Sequence, residues 1–170
     1  MKAARAILVL LVLVFAAADL IASGPVGIYG MIEKVIFEPN EKSPERIQVW
    51  GAFAFVDGGL SGPGVTSKPQ RGYLYFTLPP GNAQLAAKTE WADLKAVAGA
   101  GQAIGFGNWG YTGPFTFDGL ALRTGVRVRP QSEAPASPDV YWTNAGIVKL
   151  NGQGNRAGIV KQLREALSTR

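Results

Sequence analysis

The sequence predicts a mainly β fold with α-helices, arranged as a small OB-like β-barrel of five to six strands. Three long segments alternate apolar and polar residues as β-strands do, a helical segment follows the third, and shorter strand-like segments follow the helix. This is the element order of the OB barrel, whose helix lies between the third and fourth strands. The alternative is another half-open barrel with the terminal helix at one end.

The first three predicted strands cover residues 26 to 37, 46 to 56 and 71 to 79. The first is rich in β-branched and aromatic residues and is expected to bend at Gly30. The second is expected to bury one face only, which consists of Ile47, Val49, Phe53 and Phe55. The third alternates in the same way, with Leu74, Phe76 and Leu78 opposite Tyr73, Tyr75 and Thr77.

A helix is predicted next, beginning after a possible capping residue, Asn82, and ending before Gly99. Its expected buried side consists of Leu85, Trp91, Leu94, Val97 and Ala98. Three further strands are predicted over residues 102 to 107, 122 to 130 and 140 to 150. The chain ends in an amphipathic helix over residues 156 to 168, with an apolar stripe of Ile159, Val160, Leu163 and Leu167.

The N-terminus has the pattern of a secretory signal peptide. Lys2 and Arg5 precede the apolar run from Ile7 to Ala18, and small residues follow. We expect residues 1–23 to be removed, residues 24–150 to form the β-barrel domain, and residues 151–170 to form a helix packed on it. The protein is then exported, to the periplasm or outside the cell. An uncleaved membrane anchor is the alternative, although the run is short for a membrane span.

The chain contains no cysteine and no histidine, which excludes several kinds of chemistry. Ser-His-Asp and Cys-His catalysis need residues that are absent, and a tetrahedral zinc site has no suitable ligands. We therefore predict no cofactor, no metal and no enzymatic activity. The alternative is a hydrolase that uses the carboxylates of Glu90 and Asp93, which stand one helical turn apart. Flanking Lys88 and Lys95 favour ordinary surface ion pairs instead.

Three arginines share one face of the strand predicted over residues 122 to 130: Arg123, Arg127 and Arg129. Adjacent guanidinium groups can bind phosphate, sulfate or carboxylate groups through bidentate hydrogen bonds. The plainer interpretation is a solvated edge strand, on which charge prevents aggregation. The net charge without residues 1 to 23 is +4, from 15 basic and 11 acidic residues, so it permits an anionic partner without requiring one.

Aromatic side chains complete the predicted binding surface. Trp50, Tyr73 and Tyr75 stand on the less apolar sides of their strands, where OB folds stack sugar rings or bases. Filling of the core is the plainer interpretation. A second aromatic group, Trp109, Tyr111 and Phe115, lies in a glycine-rich loop and is the candidate surface for docking another exported protein.

That loop includes the segment GFGNWG, which matches the glycine pattern of dinucleotide-binding turns. A dinucleotide site requires a helix directly after the glycines and an acidic residue about 20 positions further on. Pro114 and two more glycines follow instead, and Asp118 and Asp139 stand at the wrong distances. The glycines are interpreted as the bends of a loop.

Three segments resemble a group of short secreted bacterial proteins of unknown function: GIYGMIEKVIFEPNEKSPERIQVWGAF, RGYLYFTLP and EWADLKAVAGAGQAIGFG. The resemblance covers about residues 25 to 107. It implies an exported bacterial protein and carries no activity, ligand or site residue.

The sequence thus predicts an exported, non-enzymatic binding module for an anionic glycan or other envelope polymer. Nucleic acid is a less favoured partner. A structural subunit that docks another exported protein is the alternative function.

Overall fold

The computed structural model describes residues 26–56, 67–108, 116–118, 121–123, 126–134, 140–142, 146–150 and 156–169. The first half of this part contains β1 (Val26–Glu38), β2 (Arg46–Val56), β3 (Gln70–Thr77), α1 (Ala83–Val97) and β4 (Ala103–Asn108). The second half contains β5 (Thr116–Asp118), β6 (Ala121–Arg123), β7 (Val140–Tyr141), β8 (Ile147–Lys149) and α2 (Ala157–Ser168). The mainly β class with helices is confirmed, as is the helix between the third and fourth strands.

One sheet organises the molecule, with the strand order β7-β3-β2-β1-β4-β8. Five of these strands run antiparallel to their neighbours, and β7 pairs with β3 in parallel. The predicted closure into a barrel is wrong, because no pairing joins the β7 edge to the β8 edge within the described residues. Closure requires continuous pairing around the sheet, whereas β7 and β8 are short and lie at opposite edges. Strands β5 and β6 form a separate two-stranded pair.

Two predicted strands are divided in the structure. Residues 140 to 150 contain β7 and β8. Gly146, just before β8, has a φ of 71°, a left-handed conformation outside the range of strands. Residues 122 to 130 contain the end of β6 and a segment that touches the sheet through a single bridge between Arg129 and Tyr73. Apolar alternation predicted one strand in each segment, but it carries no information on which neighbour each part of a segment pairs with.

The irregularity in β1 lies beyond Gly30, where the bend was predicted. The register between β1 and β2 shifts between Ile32 and Lys34, which is the signature of a β-bulge. Gly30 has a packing role instead, because a Cβ there would stand 2.8 Å from the ring of Phe53.

The two faces of the sheet are covered by different helices. On the α1 face, apolar side chains of β1 to β4 pack against Ala87, Trp91 and Leu94 of α1. On the α2 face, the buried side chains are Tyr29, Met31, Ala52, Ala54, Val56 and Ala103, which pack against Ile159 and Leu163 of α2. The expectation of one buried face for β2 is therefore wrong, since a helix covers part of each side.

The helices follow their predicted patterns with two exceptions. Leu85 of α1 is 76% exposed rather than buried. Asn82 precedes the helix, but its side chain forms no capping hydrogen bond within the described part of the chain. Gly99 has a φ of 75° just after the helix end, as expected of a terminating glycine. The apolar stripe of α2 is confirmed.

Among the described residues, no helix is long and apolar enough to cross a membrane. The proposed signal peptide, residues 1–23, lies outside them.

Candidate binding surface

The α2 helix covers only part of one face of the sheet. Charged and aromatic side chains occupy the uncovered end of that face. We call this region the polar patch; it consists of Lys34, Glu38, Arg46, Gln48, Trp50, Tyr73, Tyr75, Arg127, Arg129 and Glu133. Strand register builds its centre, since Lys34 of β1 pairs with Trp50 of β2, which pairs with Tyr73 of β3. Side chains at paired positions lie on the same face of a sheet, so these three are neighbours.

The ring of Trp50 is enclosed by its two neighbours. The Tyr73 ring stacks on it, with 4.6 Å between the centroids and 19° between the planes. The Lys34 ammonium lies 4.5 Å from the centroid of the Trp50 ring, in cation–π contact. Because these two side chains come from strands on opposite sides of β2, they cover opposite faces of the indole. Both faces of the ring are therefore occupied by side chains of the patch.

Tyr75 and Glu38 form the hydrogen-bonded base of the patch. The Tyr75 hydroxyl donates to Glu38 Oε2 at 2.6 Å, and the Gln48 amide donates to Glu38 Oε1. Gln48 in turn accepts from the indole nitrogen of Trp50 at 2.9 Å. Burial, and then the hydrogen bond to Glu38, raise the pKa of Tyr75 to about 12. The phenol therefore stays neutral, because ionisation would place a second negative charge beside Glu38.

Glu133 holds the segment that carries the arginines. Arg127 donates to both carboxylate oxygens of Glu133, and Arg129 donates to Oε1 at 3.1 Å. The Arg127 hydrogen bonds lower the pKa of Glu133, which keeps its carboxylate charged. The backbone carbonyl of Glu133 accepts from the Tyr73 hydroxyl at 2.9 Å. These contacts fix the segment over residues 127 to 133 along the side of β3 that faces away from β2, next to the end that pairs with β7.

A glycine allows this segment to approach the sheet. Tyr73 and Arg129 exchange two backbone hydrogen bonds, each of 2.9 Å. A Cβ at Gly72 would overlap the carbonyl oxygen of Arg129. Only glycine permits such close packing of two backbones.

Five of the six predicted ligand-binding residues lie in the polar patch: Trp50, Tyr73, Tyr75, Arg127 and Arg129. Tyr73 is 0% exposed and Tyr75 is 3% exposed, so both rings pack inside the patch instead of presenting a face to solvent. Arg129 is also buried, whereas Arg127 keeps 49% of its side chain exposed. Arg123 lies at the end of β6, where it pairs with Thr116 of β5.

Four charged members of the patch were missed by the sequence analysis: Lys34, Glu38, Arg46 and Glu133. For Lys34 and Arg46 the strand period was a usable signal, since both share a face with Trp50 once the bulge in β1 is allowed for. Glu133 follows no period, because it lies in a proline-rich connector. The predicted docking residues Trp109, Tyr111 and Phe115 lie outside the described residues.

The carboxylates of the alternative hydrolase are placed differently from each other. Glu90 accepts hydrogen bonds from the indole of Trp142 and, at 3.1 Å, from the backbone of Gly146, so it links α1 to the residue after β7 and the residue before β8. Asp93 is exposed. Lys95, expected to pair with them, contacts Glu41 at 2.6 Å. Within the described residues, no group of three potential metal ligands occurs.

No family model, curated protein or solved structure matches the chain. The chemistry of the polar patch must therefore be judged from its own groups. The patch contains four cations, Lys34, Arg46, Arg127 and Arg129, and two carboxylates, Glu38 and Glu133. Such a surface attracts anions.

Proposed function

We propose that the protein is an exported, non-enzymatic binding module whose polar patch binds an anionic polymer, such as a glycan or another component of the cell envelope. The observation that carries this proposal is the excess of cations over carboxylates among the described residues of the patch. An excess of positive charge on one surface raises the local concentration of a polyanion and speeds its association.

The contacts within the patch assign different tasks to its members. Tyr73, Tyr75 and Arg129 are buried and hold the surface in shape. Lys34, Arg46 and Arg127 are the members with exposed charge; the side chains of Arg46 and Arg127 are 42% and 49% exposed. A polymer would contact these three cations and the edge of the Trp50 indole.

Preorganisation supports binding at this surface. The Trp50 ring is held by Tyr73, Lys34 and its bond to Gln48, and Arg127 is held by Glu133. Side chains that are ordered before binding lose less conformational entropy when the ligand arrives. An extended polymer gains from this, because each repeat adds a weak contact to a surface that needs no rearrangement.

The test is a binding series on protein purified after expression of the whole chain, with heparin, single-stranded DNA and an uncharged glycan as probes over a range of salt concentrations. We expect heparin to bind and its affinity to fall steeply with salt. A Lys34→Gln/Arg46→Gln variant should bind about tenfold more weakly, since two charge-assisted contacts are lost.

The matched control is Lys149→Gln/Lys161→Gln, which removes the same charge from exposed positions outside the patch. It should bind as the unmodified protein does. Equal losses in the two variants, or equal binding of the uncharged glycan, would refute a specific role of the patch. Single-stranded DNA binding as tightly as heparin would make nucleic acid the better assignment.

Export has a separate test. The mass of the purified protein and the sequence of its first residues show whether the segment before residue 24 has been removed. We expect removal, because a charged start followed by a short apolar run is the substrate of signal peptidase. An intact N-terminus in the membrane fraction would favour the anchored form.

A further inference from the structure

A second charged site lies on the opposite side of the sheet, between α1 and the turn after β1. It is a cleft of about 490 Å³, a size typical of small-molecule sites. Phe37 and Ala92 form part of an apolar floor, and Glu41, Lys42, Lys88 and Lys95 surround it. Phe37 packs on the α1 face, whereas its neighbour Glu38 belongs to the polar patch, so the two sites are separated by the sheet.

Helical spacing places the α1 residues of the cleft together. Lys88, Ala92 and Lys95 are four and three residues apart and therefore share one side of the helix. The small side chain of Ala92 leaves room above Phe37, whose ring is half-buried and packs against Trp91 with a centroid distance of 6.4 Å. The floor is thus a supported aromatic surface that remains open to solvent.

The rim has three ammonium groups and one carboxylate. Lys95 Nζ lies 2.6 Å from Glu41 Oε1 and 5.9 Å from the centre of the Phe37 ring. Glu41 and Lys95 are exposed by 63% and 49%, and exposed ion pairs of this kind are weak. An anionic ligand can therefore replace Glu41 beside Lys95 with little loss of interaction energy. Lys42 and Lys88 add to the electrostatic attraction.

We propose that this cleft binds a small anion that carries an apolar group, such as an aryl phosphate, sulfate or carboxylate. The apolar group would lie on Phe37 and Ala92, and the anionic group would meet the lysines. An inorganic anion lacks the first contact and a neutral aromatic lacks the second, so neither should bind as well. This site is independent of the polar patch and of the polymer proposed to bind there.

The test uses phenyl phosphate as the probe, with inorganic phosphate and benzyl alcohol as its anionic and neutral counterparts. Protein labelled with ¹⁵N, from the whole chain, is titrated with each and followed by amide chemical shifts. We expect phenyl phosphate to shift amides around residues 37, 42 and 88 to 96, and to bind more tightly than either counterpart.

Two variants address the two halves of the site. Lys42→Gln/Lys88→Gln should weaken phenyl phosphate binding about tenfold by removing two charges. Ala92→Leu should weaken it by filling the space over Phe37 without changing any charge. Both should leave heparin binding unaltered, which separates this site from the polar patch.

The charge control is again Lys149→Gln/Lys161→Gln, which should bind phenyl phosphate normally. Several outcomes would overturn the proposal: no saturable shifts, shifts spread over the whole surface, equal binding of inorganic phosphate, or equal losses in the control variant. Each of these can be read from the same set of titrations, because the spectra also report whether every variant is folded.

Discussion

The α1 face and the α2 face of the sheet use the same strands for different purposes. Large apolar side chains fill the α1 face, among them Phe53, Phe76, Trp91 and Phe106, all 0% or 1% exposed. The α2 face is divided between an apolar half under α2 and the polar patch. Burial on the first face supplies most of the driving force for folding, which leaves part of the second face available for charge.

Side-chain size explains where α2 lies on its face. Ala52 and Ala54 of β2 are small and lie under the helix, whereas Trp50 precedes them on the same face. Small residues let a helix approach a sheet closely, and a tryptophan with a charged neighbour does not. The step from Trp50 to Ala52 is therefore the boundary between the polar patch and the region covered by α2.

The largest expected change in stability is at Trp91, on the α1 face. Trp91→Ala should lower the free energy of unfolding by about 3 to 5 kcal/mol, because it leaves a cavity at the centre of the α1 face. Trp91→Phe should cost less than about 1.5 kcal/mol. The indole nitrogen is buried and has no hydrogen-bond partner among the described residues, so phenylalanine removes a polar group that burial penalises. Urea unfolding followed by circular dichroism measures both, and similar losses would contradict this view of the face.

Gly72 tests the attachment of the arginine segment to the polar patch. Gly72→Ala should cost about 3 kcal/mol, because the new Cβ forces the backbone of Arg129 away from β3. Gly158→Ala is the matched control: nothing lies within 4 Å of a Cβ at that position of α2, and a helical alanine should stabilise by about 0.5 to 1 kcal/mol. Opposite signs in thermal or urea unfolding are expected. A neutral Gly72→Ala would mean that the segment is only loosely attached.

Tyr75 links the polar patch to pH. Tyr75→Phe should cost about 1 kcal/mol at neutral pH through loss of the hydrogen bond to Glu38. Because the folded protein raises the pKa of Tyr75 from 10.0 to about 12, the stability due to its neutral phenol is complete below pH 10.0 and is lost as the pH rises towards about 12.

The stability of the unmodified protein should therefore fall more steeply than that of Tyr75→Phe between pH 10.0 and about 12. Tyr141→Phe, at a position that is 39% exposed, is the control and should follow the unmodified protein. Parallel curves for all three proteins would show that burial of the Tyr75 phenol has no energetic consequence.

Lys34 should give the smallest effect. Lys34→Ala removes the cation–π contact to Trp50 and should cost about 0.5 to 1 kcal/mol in urea unfolding. Lys149→Ala, on the exposed edge strand β8, should change stability by less than about 0.5 kcal/mol. A larger loss from Lys149→Ala than from Lys34→Ala would mean that the stacked centre of the patch contributes little.

Local patterns were most informative where a segment lies inside the sheet. The predicted bounds of β2 are those observed, and the faces assigned to Ile47 and Leu74 are correct. Patterns failed where tertiary contacts decide. Leu85 has the spacing of a buried residue, yet the part of α1 that carries it extends past the apolar cluster. Helical periodicity states which residues share a side and not how far the neighbouring sheet extends.

The candidate sites show the same division. Strand alternation was sufficient to place Trp50, Tyr73 and Tyr75 on one face, because the direction of a side chain in a strand is set by its position alone. It was insufficient to show that Tyr73 and Tyr75 are buried there, since the cover comes from the segment of Arg129 and Glu133, more than 50 residues later in the chain. The cleft around Phe37 likewise needs α1, a helix from a distant part of the sequence.

The class of fold, most of the strand faces and the two helices could be predicted from the sequence, because each depends on periods shorter than about four residues. Tertiary contacts determine that the sheet stays open, that residues 140 to 150 divide between its two edges, and that Glu133 pairs with Arg127 and Arg129. These outcomes depend on which distant segments meet. The physical reason is that hydrogen-bond partners and counterions are chosen by proximity in space, and local patterns of polarity do not encode it.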